Sequence, residues 1–196
     1  YTLLGRGEWV MFHEKIRPAE YEKLADQFTA ERFDAEAIAD LAVAAGMRYV
    51  NIVTRHHDSY CLFDSSETDF TTVKRGPGRD LVGELAEACR TRGLGLFLYY
   101  TYGIDWKHPY AGSREGYKLA RPDYPTPEPS YRFTNDEDFK VYVEFMHRQI
   151  TELLTNYGPV AGIWFDLISA AYFRPDLFPV DETYSLIRKL QPQCLI

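Results

Sequence analysis

The sequence predicts an α/β fold in which a parallel sheet is covered by helices. Three amphipathic helical patterns are each followed by a short, almost continuously apolar run. Such runs are typical of strands that are buried on both faces, as in a parallel sheet. We expect strands at 49–53, 94–100 and 160–165, followed by a weaker pair formed by a helix at 181–190 and a strand at 194–196.

The predicted helices begin and end at recognisable signals. An acidic or hydroxyl side chain that can cap free backbone N–H groups precedes each of the first three helices, and a glycine follows each of them. These pairs are Asp34 and Gly46, Asp80 and Gly93, and Thr134 and Gly158. Thr134 and Glu137 also form a capping-box pattern. We expect the first helix, over 35–45, to face the core through Ile38, Leu41, Ala42 and Ala45.

The arrangement of strands favours a (β/α)8 barrel over an open doubly wound sheet. No glycine-rich phosphate-binding pattern follows any predicted strand, which lowers the case for a nucleotide-binding sheet. Barrels typically need about 250 residues, whereas this sequence has 196. We therefore expect residues 1–196 to form part of a catalytic barrel of about four βα units, without its first strand and its C-terminal part. The long Pro- and Tyr-rich stretch 102–133 follows a strand, where long loops are usually functional.

Composition excludes several classes of partner. Lys and Arg number 22 against 29 Asp and Glu, a net charge of -7, which argues against binding to nucleic acid or to anionic membranes. The apolar runs are shorter than the roughly 20 residues of a membrane-spanning helix. The three cysteines are too few and too far apart for a disulfide framework; we expect Cys89 and Cys194 in the core and consider Cys61 for a pocket wall. The sequence shows no leader pattern, so a targeting segment would have been removed or would lie outside it. The sequence indicates neither a compartment nor an oligomeric state.

Polar and aromatic side chains stand at the C-terminal ends of the predicted strands, where catalytic groups of parallel α/β folds lie. They are Arg55, His56, His57 and Asp58 after the first strand, Tyr99, Tyr100, Asp105 and Trp106 after the second, and Trp164 and Asp166 at the third. Trp164 and Asp166 are two residues apart, so their side chains can point to the same side. An aromatic platform beside a carboxylate suits a sugar ring, although Asp166 could equally cap the next helix.

The adjacent histidines allow more than one interpretation. Neighbouring strand residues face opposite sides, which disfavours a shared metal and favours hydrogen bonding of the imidazoles to a polyol. A metal-dependent hydrolase using His56 or His57 with Asp58 and Asp166 stays as an alternative. A second alternative is that at least one of the two histidines only satisfies hydrogen bonds within the core.

Together these segments resemble the α-L-fucosidases of glycoside hydrolase family 29. The resemblance covers almost the whole chain in the family's order. The matching segments are 7–9, 33–34, 45–49, 54–62, 79–82, 99–100, 105–106, 157–159 and 163–166. The His56-His57-Asp58 and Trp164-Phe165-Asp166 motifs are specific when they occur together.

The resemblance implies a retaining exo-glycosidase that removes terminal α-linked L-fucose from glycans and needs no metal or organic cofactor. It assigns the nucleophile to Asp166, which would form a covalent fucosyl-enzyme. It also implies sugar-binding roles for five further residues. His56 and His57 would hold hydroxyls, Trp9 and Trp164 would pack against the ring, and Tyr99, favoured over Tyr100, would line the pocket.

The sequence departs from the family pattern at several points. Nothing before Gly7 supplies the His-Trp-Gly motif of the family's first strand, and the general acid/base is expected beyond Ile196. If that group were missing, the protein would be a non-catalytic fucose-binding barrel. Ser59 and Leu167 stand where the family often has glycine, so a turn that needs positive φ would be strained or reshaped at either position.

Overall fold

A computed structural model of the chain contains a sheet of three parallel strands. The structure describes residues 2–5, 7–112, 119–168, 171 and 174–196. The strands are β1 (Tyr49–Arg55), β2 (Gly95–Thr101) and β3 (Gly162–Asp166), in the order β1-β2-β3. The predicted strand at 194–196 is represented by a parallel bridge between Leu195 and Gly162. The alternation of helices with parallel strands predicted from the sequence is confirmed for these units.

Helices precede each strand and cover one face of the sheet. Their bounds are α1 Val10–His13, α2 Pro18–Tyr21, α3 Ala35–Ala44, α4 Leu81–Thr91, α5 Phe139–Asn156 and α6 Val180–Leu190. Short 3-10 helices occur at Thr2–Leu4, Glu22–Gln27 and Asp136–Asp138. Helix α3 packs beside α4, and α5 packs beside α6. Within the described ranges, no helix combines the length and apolarity needed to cross a membrane.

Two of the three predicted helix caps are confirmed. The Asp34 carboxylate accepts a hydrogen bond from Ala37 N, and the Asp80 carboxylate accepts one from Gly83 N. The cap predicted for the third helix at Thr134 and Glu137 is wrong by one residue. Asn135 and Asp138 form the capping box there, because a 3-10 turn precedes α5.

Helix α3 packs through a different face from the predicted one. Its buried side chains are small: Ala35, Ala39 and Ala42. Ile38 is partly exposed, and Leu41 is 70% exposed. Ala45 is exposed as well, so the prediction from apolar spacing is wrong for these three residues and correct for Ala42. The alanine face allows close packing, since it brings no bulky side chain between the backbones.

The core lies between the sheet and its helices. Leu98 and Tyr100 of β2 and Phe165 of β3 are buried there with Met146, Ile150 and Leu153 of α5. All three cysteines are free and buried, which confirms the prediction for Cys89 and Cys194. Cys61 also lies in the core, where it contacts Gln149, and burial raises the pKa of its thiol to about 12.

The other face of the sheet is open. Each strand places one aromatic side chain on this face: Tyr49 from β1, Phe97 from β2 and Trp164 from β3. Gly162 pairs with Phe97, and a Cβ atom on Gly162 would lie 2.1 Å from the Phe97 ring. Glycine is required there because the aromatic ring occupies the space of a side chain.

The long stretch after β2 packs against the N-terminal segment. Trp106 is fully buried, and the Tyr131 hydroxyl donates a hydrogen bond of 2.6 Å to the Trp106 carbonyl. Arg17 forms an ion pair of 2.7 Å with Glu128. The segment that carries α1 and Trp9 is thereby held near the C-terminal ends of the strands. Residues 113–118 of this stretch lie outside the described residues.

Candidate active site

The two histidines lie together directly after β1. Their ring centroids are 4.1 Å apart, and both side chains are buried. The expectation that they face opposite sides is wrong. Strand β1 ends at Arg55 and its pairing register already shifts between Val53 and Arg55, so strand alternation does not extend to His56 and His57.

The Asp166 carboxylate contacts one side chain from β2 and one from the segment directly after β1. The Tyr99 hydroxyl donates a hydrogen bond to Asp166 Oδ2, and His57 Nε2 lies 3.5 Å from the same oxygen. The register explains this, because Tyr99 is paired with Trp164 and Thr101 with Asp166. The Asp166 side chain remains 32% exposed, so it is open to a ligand.

Aromatic rings flank the carboxylate. Trp164 is 58% exposed and contacts the Tyr99 ring edge-on at 5.6 Å between centroids. Trp9 contacts the His57 ring at 5.2 Å, and His56 stacks on Tyr99 at 5.4 Å. The structure thus brings all six sequence-predicted site residues into one group. Tyr100, the alternative to Tyr99, points to the helix-covered side, where its hydroxyl donates to Gln149.

Asp58 does not join this group. Its carboxylate accepts hydrogen bonds from the Tyr21 hydroxyl, at 3.0 Å, and from Tyr60 N, at 3.1 Å. Ligand atoms of His56, His57 and Asp166 cluster together without an Asp58 oxygen, so the structure does not support Asp58 as a ligand in the metal-dependent alternative. A mostly apolar cavity of about 210 Å³ borders His56 and Asp58, but Asp166 does not line it.

An ion pair that sequence reasoning missed lies behind the histidines. Arg55 Nη1 donates to Asp105 Oδ2 at 2.7 Å, and Arg55 Nη2 donates to the Thr101 carbonyl at 2.9 Å. Asp105 Oδ2 also accepts from the Ser59 hydroxyl at 2.8 Å. Arg55 and Asp105 both follow predicted strands, but 50 residues separate them and nothing in their spacing indicates a pair.

Burial disfavours the charged form of both imidazoles. Burial lowers the pKa of His57 to about 2, and the neighbouring His56 and Arg55 add to this effect. Burial also lowers the pKa of His56, against the attraction of Asp58, Glu8 and Asp166. A neutral imidazole offers one hydrogen-bond donor and one acceptor, which suits the hydroxyl groups of a polyol.

Backbone strain flanks the site. Ser59 has φ 70° and Leu167 has φ 55°, both in the left-handed region that favours glycine. Of the two outcomes left open by the sequence, a strained turn or a reshaped one, the structure has the strained turn at both positions. Ser59 follows the histidine segment and Leu167 follows Asp166, so both strained residues adjoin the groups that converge at the strand ends.

The same groups offer a possible metal set. One nitrogen of His56, one nitrogen of His57 and one oxygen of Asp166 all lie within 4.8 Å of one another. Imidazole and carboxylate are ligands that zinc accepts, and a catalytic zinc site has three protein ligands, each about 2 Å from the metal.

Proteins with sequences similar to this chain are alpha-L-fucosidases. The family model for alpha-L-fucosidase matches residues 6–196. The alpha-L-fucosidase of Dictyostelium discoideum is 31% identical over 79% of this chain and 31% of its own length. Human tissue alpha-L-fucosidase is 37% identical over 54% of this chain and 23% of its own length. The chain spans about a third or less of these curated relatives.

Solved structures show the same similarity. Alpha-L-fucosidase isoenzyme 1 from Paenibacillus thiaminolyticus is 37% identical, with a TM-score of 0.78 over 99% of this chain and 44% of that chain. Alpha-L-fucosidase AlfC from Lactobacillus casei, in complex with alpha-L-fucose product, is 32% identical, with a TM-score of 0.78 over 96% of this chain and 59% of that chain. The chain described here therefore belongs to the alpha-L-fucosidase family of glycoside hydrolases.

Proposed function

We propose that this chain is the part of a (β/α)8 barrel that carries the nucleophile and the sugar-binding groups of a retaining exo-α-L-fucosidase. Residues 1–196 would form a partial catalytic barrel domain. The observation that carries the proposal is the convergence on one carboxylate. Asp166, the Tyr99 hydroxyl and the His57 ring meet beside the exposed Trp164 ring.

The proposed substrates are fucosylated glycans or glycoconjugates. Variants of the Lactobacillus casei enzyme have been solved with Fuca(1,6)GlcNAc and with 4-nitrophenyl α-L-fucopyranoside, which supports this substrate class. Neutral His56 and His57 would hydrogen-bond the sugar hydroxyls. Trp9 and Trp164 would pack against the apolar C–H surface of the ring.

In the proposed reaction, an Asp166 oxygen attacks the anomeric carbon as the bond to the leaving oxygen breaks. The product of this step is a covalent fucosyl-enzyme. The Tyr99 hydrogen bond would fix the rotation of the carboxylate before attack. In a retaining enzyme a second carboxyl group, about 5 Å away, protonates the leaving oxygen and then takes a proton from the attacking water. We propose no residue of this sequence for that second role.

The test is hydrolysis of 4-nitrophenyl α-L-fucopyranoside by the full-length protein. We expect Asp166→Ala to lower kcat by about a thousandfold or more, because the nucleophile is lost. Asp69→Ala is the matched control, since Asp69 lies on the surface with its side chain 92% exposed. Undiminished turnover by Asp166→Ala would remove Asp166 from the nucleophile role.

Stereochemistry tests the retaining mechanism separately. Proton NMR during early turnover identifies the anomer that forms first. A retaining enzyme releases α-L-fucose first, whereas first release of the β anomer would show a single displacement by water and contradict the covalent intermediate.

Two other functions make different predictions. A non-catalytic fucose-binding barrel would bind L-fucose and show no turnover of the aryl fucoside. A metal-dependent hydrolase has one observation in its favour, the proximity of His56, His57 and Asp166. Stoichiometric zinc in the purified protein, together with loss of turnover on chelation, would favour that function; an active metal-free enzyme would exclude it.

A further inference from the structure

Thr101 is the last residue of β2 and is fully buried. Its hydroxyl oxygen is 2.6 Å from His57 Nδ1 and donates to the Ile104 carbonyl oxygen at 3.0 Å. A carbonyl oxygen can only accept a hydrogen bond, and a hydroxyl group has one proton to donate. With the Thr101 proton directed to the Ile104 carbonyl, the short contact with His57 is satisfied by a proton on Nδ1 that is donated to the Thr101 oxygen.

The other ring nitrogen follows from this assignment. A neutral imidazole carries one N–H, so protonation of Nδ1 leaves a lone pair on Nε2. His57 Nε2 is buried and makes no hydrogen bond within the part of the chain that the structure describes. It lies 3.5 Å from Asp166 Oδ2, which already accepts the Tyr99 hydroxyl proton. With this tautomer two acceptors face the same space, and a ligand that supplies a donor fits between them.

We propose that Thr101 is a positioning residue that holds His57 in the Nδ1–H tautomer, so that Nε2 accepts a hydrogen bond from a hydroxyl group of the sugar. The link to a sugar rests on the proposed function. The tautomer itself does not, since it is a property of the protein without ligand. A group that only accepts hydrogen bonds would not replace the sugar hydroxyl at this point.

The tautomer can be read directly from the imidazole nitrogens. In the full-length protein labelled with 15N-histidine, long-range 1H–15N spectra distinguish a protonated ring nitrogen from an unprotonated one. The His57 signals are assigned by their loss in His57→Ala. We expect Nδ1 to be protonated and Nε2 to be unprotonated in the wild type at pH 7. Protonation at Nε2 would overturn the proposal, and this measurement needs no variant of Thr101 to fold.

Two variants of Thr101 separate positioning from mere packing. Thr101→Val keeps the shape but removes the acceptor, so we expect His57 to move toward the Nε2–H tautomer, where Asp166 can accept the proton. Thr101→Ser keeps the hydroxyl and should retain the wild-type spectrum. A Thr101→Val spectrum identical to that of the wild type would overturn the proposal.

Kinetics give the second readout. For the aryl fucoside, we expect Thr101→Val to lower kcat/KM by about tenfold, the size that loss of one hydrogen bond gives. Thr101→Ser should remain within about twofold of the wild type. Equal losses in both variants would contradict a role for the hydroxyl. If the wild type had no fucosidase activity, the proposed function would fail while the NMR result would still decide the tautomer.

Discussion

Arg55 and Asp105 form a completely buried ion pair behind the histidines, with 2.7 Å between Arg55 Nη1 and Asp105 Oδ2. The Arg55 guanidinium also lies 4.5 Å from the centre of the Tyr100 ring. Asp105 Oδ1 accepts hydrogen bonds from Lys107 N and His108 N. The pair therefore joins the end of β1 to the loop after β2, and it supports the segment that carries His56 and His57.

Asp105→Asn should strongly destabilise the fold. The substitution keeps the shape but leaves the Arg55 charge buried without its partner, and such losses typically cost about 3–5 kcal/mol. Urea unfolding measures the free energy of unfolding. The control is Glu20→Gln, which breaks the exposed Lys23–Glu20 pair and should cost less than about 1 kcal/mol. A loss for Asp105→Asn as small as that of the control would contradict this account.

The backbone conformation and the side chain of Ser59 make separable contributions to the stability of the fold. Ser59→Ala and Ser59→Gly both remove the hydrogen bond to Asp105, but only glycine relieves the positive φ of 70°. We expect Ser59→Gly to be more stable than Ser59→Ala by about 1 kcal/mol. Denaturant unfolding of the two variants side by side measures the difference. Equal stability would show that the backbone is not strained at this position.

Tyr99→Phe should reduce turnover without disturbing the fold. The variant removes the hydroxyl group that donates a hydrogen bond to Asp166. A hydrogen bond to a charged group is worth roughly 1.5–3 kcal/mol. We therefore expect kcat/KM for the aryl fucoside to fall by roughly tenfold to a hundredfold. Tyr49→Phe is the control on the same open face, because Tyr49 is largely exposed. An unchanged kcat/KM for Tyr99→Phe would show that Asp166 does not depend on this contact.

Stability should decrease as the solution becomes acidic, and His108 should contribute to this. Burial lowers the pKa of His108 from 6.5 to about 4, and its ring packs on Phe145 at 4.6 Å. Between about pH 6.5 and 4 the unfolded chain binds a proton that the folded His108 excludes, so the free energy of unfolding falls as pH falls. One such group changes the free energy of unfolding by up to about 1.4 kcal/mol per pH unit.

His108→Gln should therefore flatten the pH dependence of the free energy of unfolding in this window. Chemical unfolding at half-unit steps of pH gives the slope. His13→Gln is the matched control, since the His13 side chain is exposed, and it should leave the slope unchanged. A His108→Gln slope equal to that of the wild type would place the acid sensitivity elsewhere.

Local signals predicted the helix and strand units correctly. The caps at Asp34 and Asp80 and the glycine stops at Gly46 and Gly93 depend on neighbouring backbone atoms, so a short stretch of sequence contains the whole interaction. Strand alternation, which also depends only on neighbouring residues, correctly placed Trp164 and Asp166 on the same side of the sheet. The family resemblance, and not a local signal, indicated the turn at Ser59 and the role of Tyr99.

Features that depend on tertiary packing could not be predicted in this way. Apolar spacing in α3 indicated Ile38 and Leu41 as core residues, but the alanine face packs more closely and lies inward. The Arg55–Asp105 pair depends on how the loop after β2 folds back over β1. Strand alternation also gave the wrong relative orientation for His56 and His57, because the sequence pattern does not reveal that β1 ends at Arg55.

The Phe97 ring that lies across Gly162 has a consequence for the depth of the open face. Phe97 is two residues before Tyr99, about 7 Å lower along the strand, and its ring contacts that of Tyr49. A ligand resting on Trp164 thus meets an aromatic floor one layer below. For the sugar ligand proposed above, this aromatic layer would limit movement toward the N-terminal ends of the strands and would favour contact through the apolar side of the sugar ring.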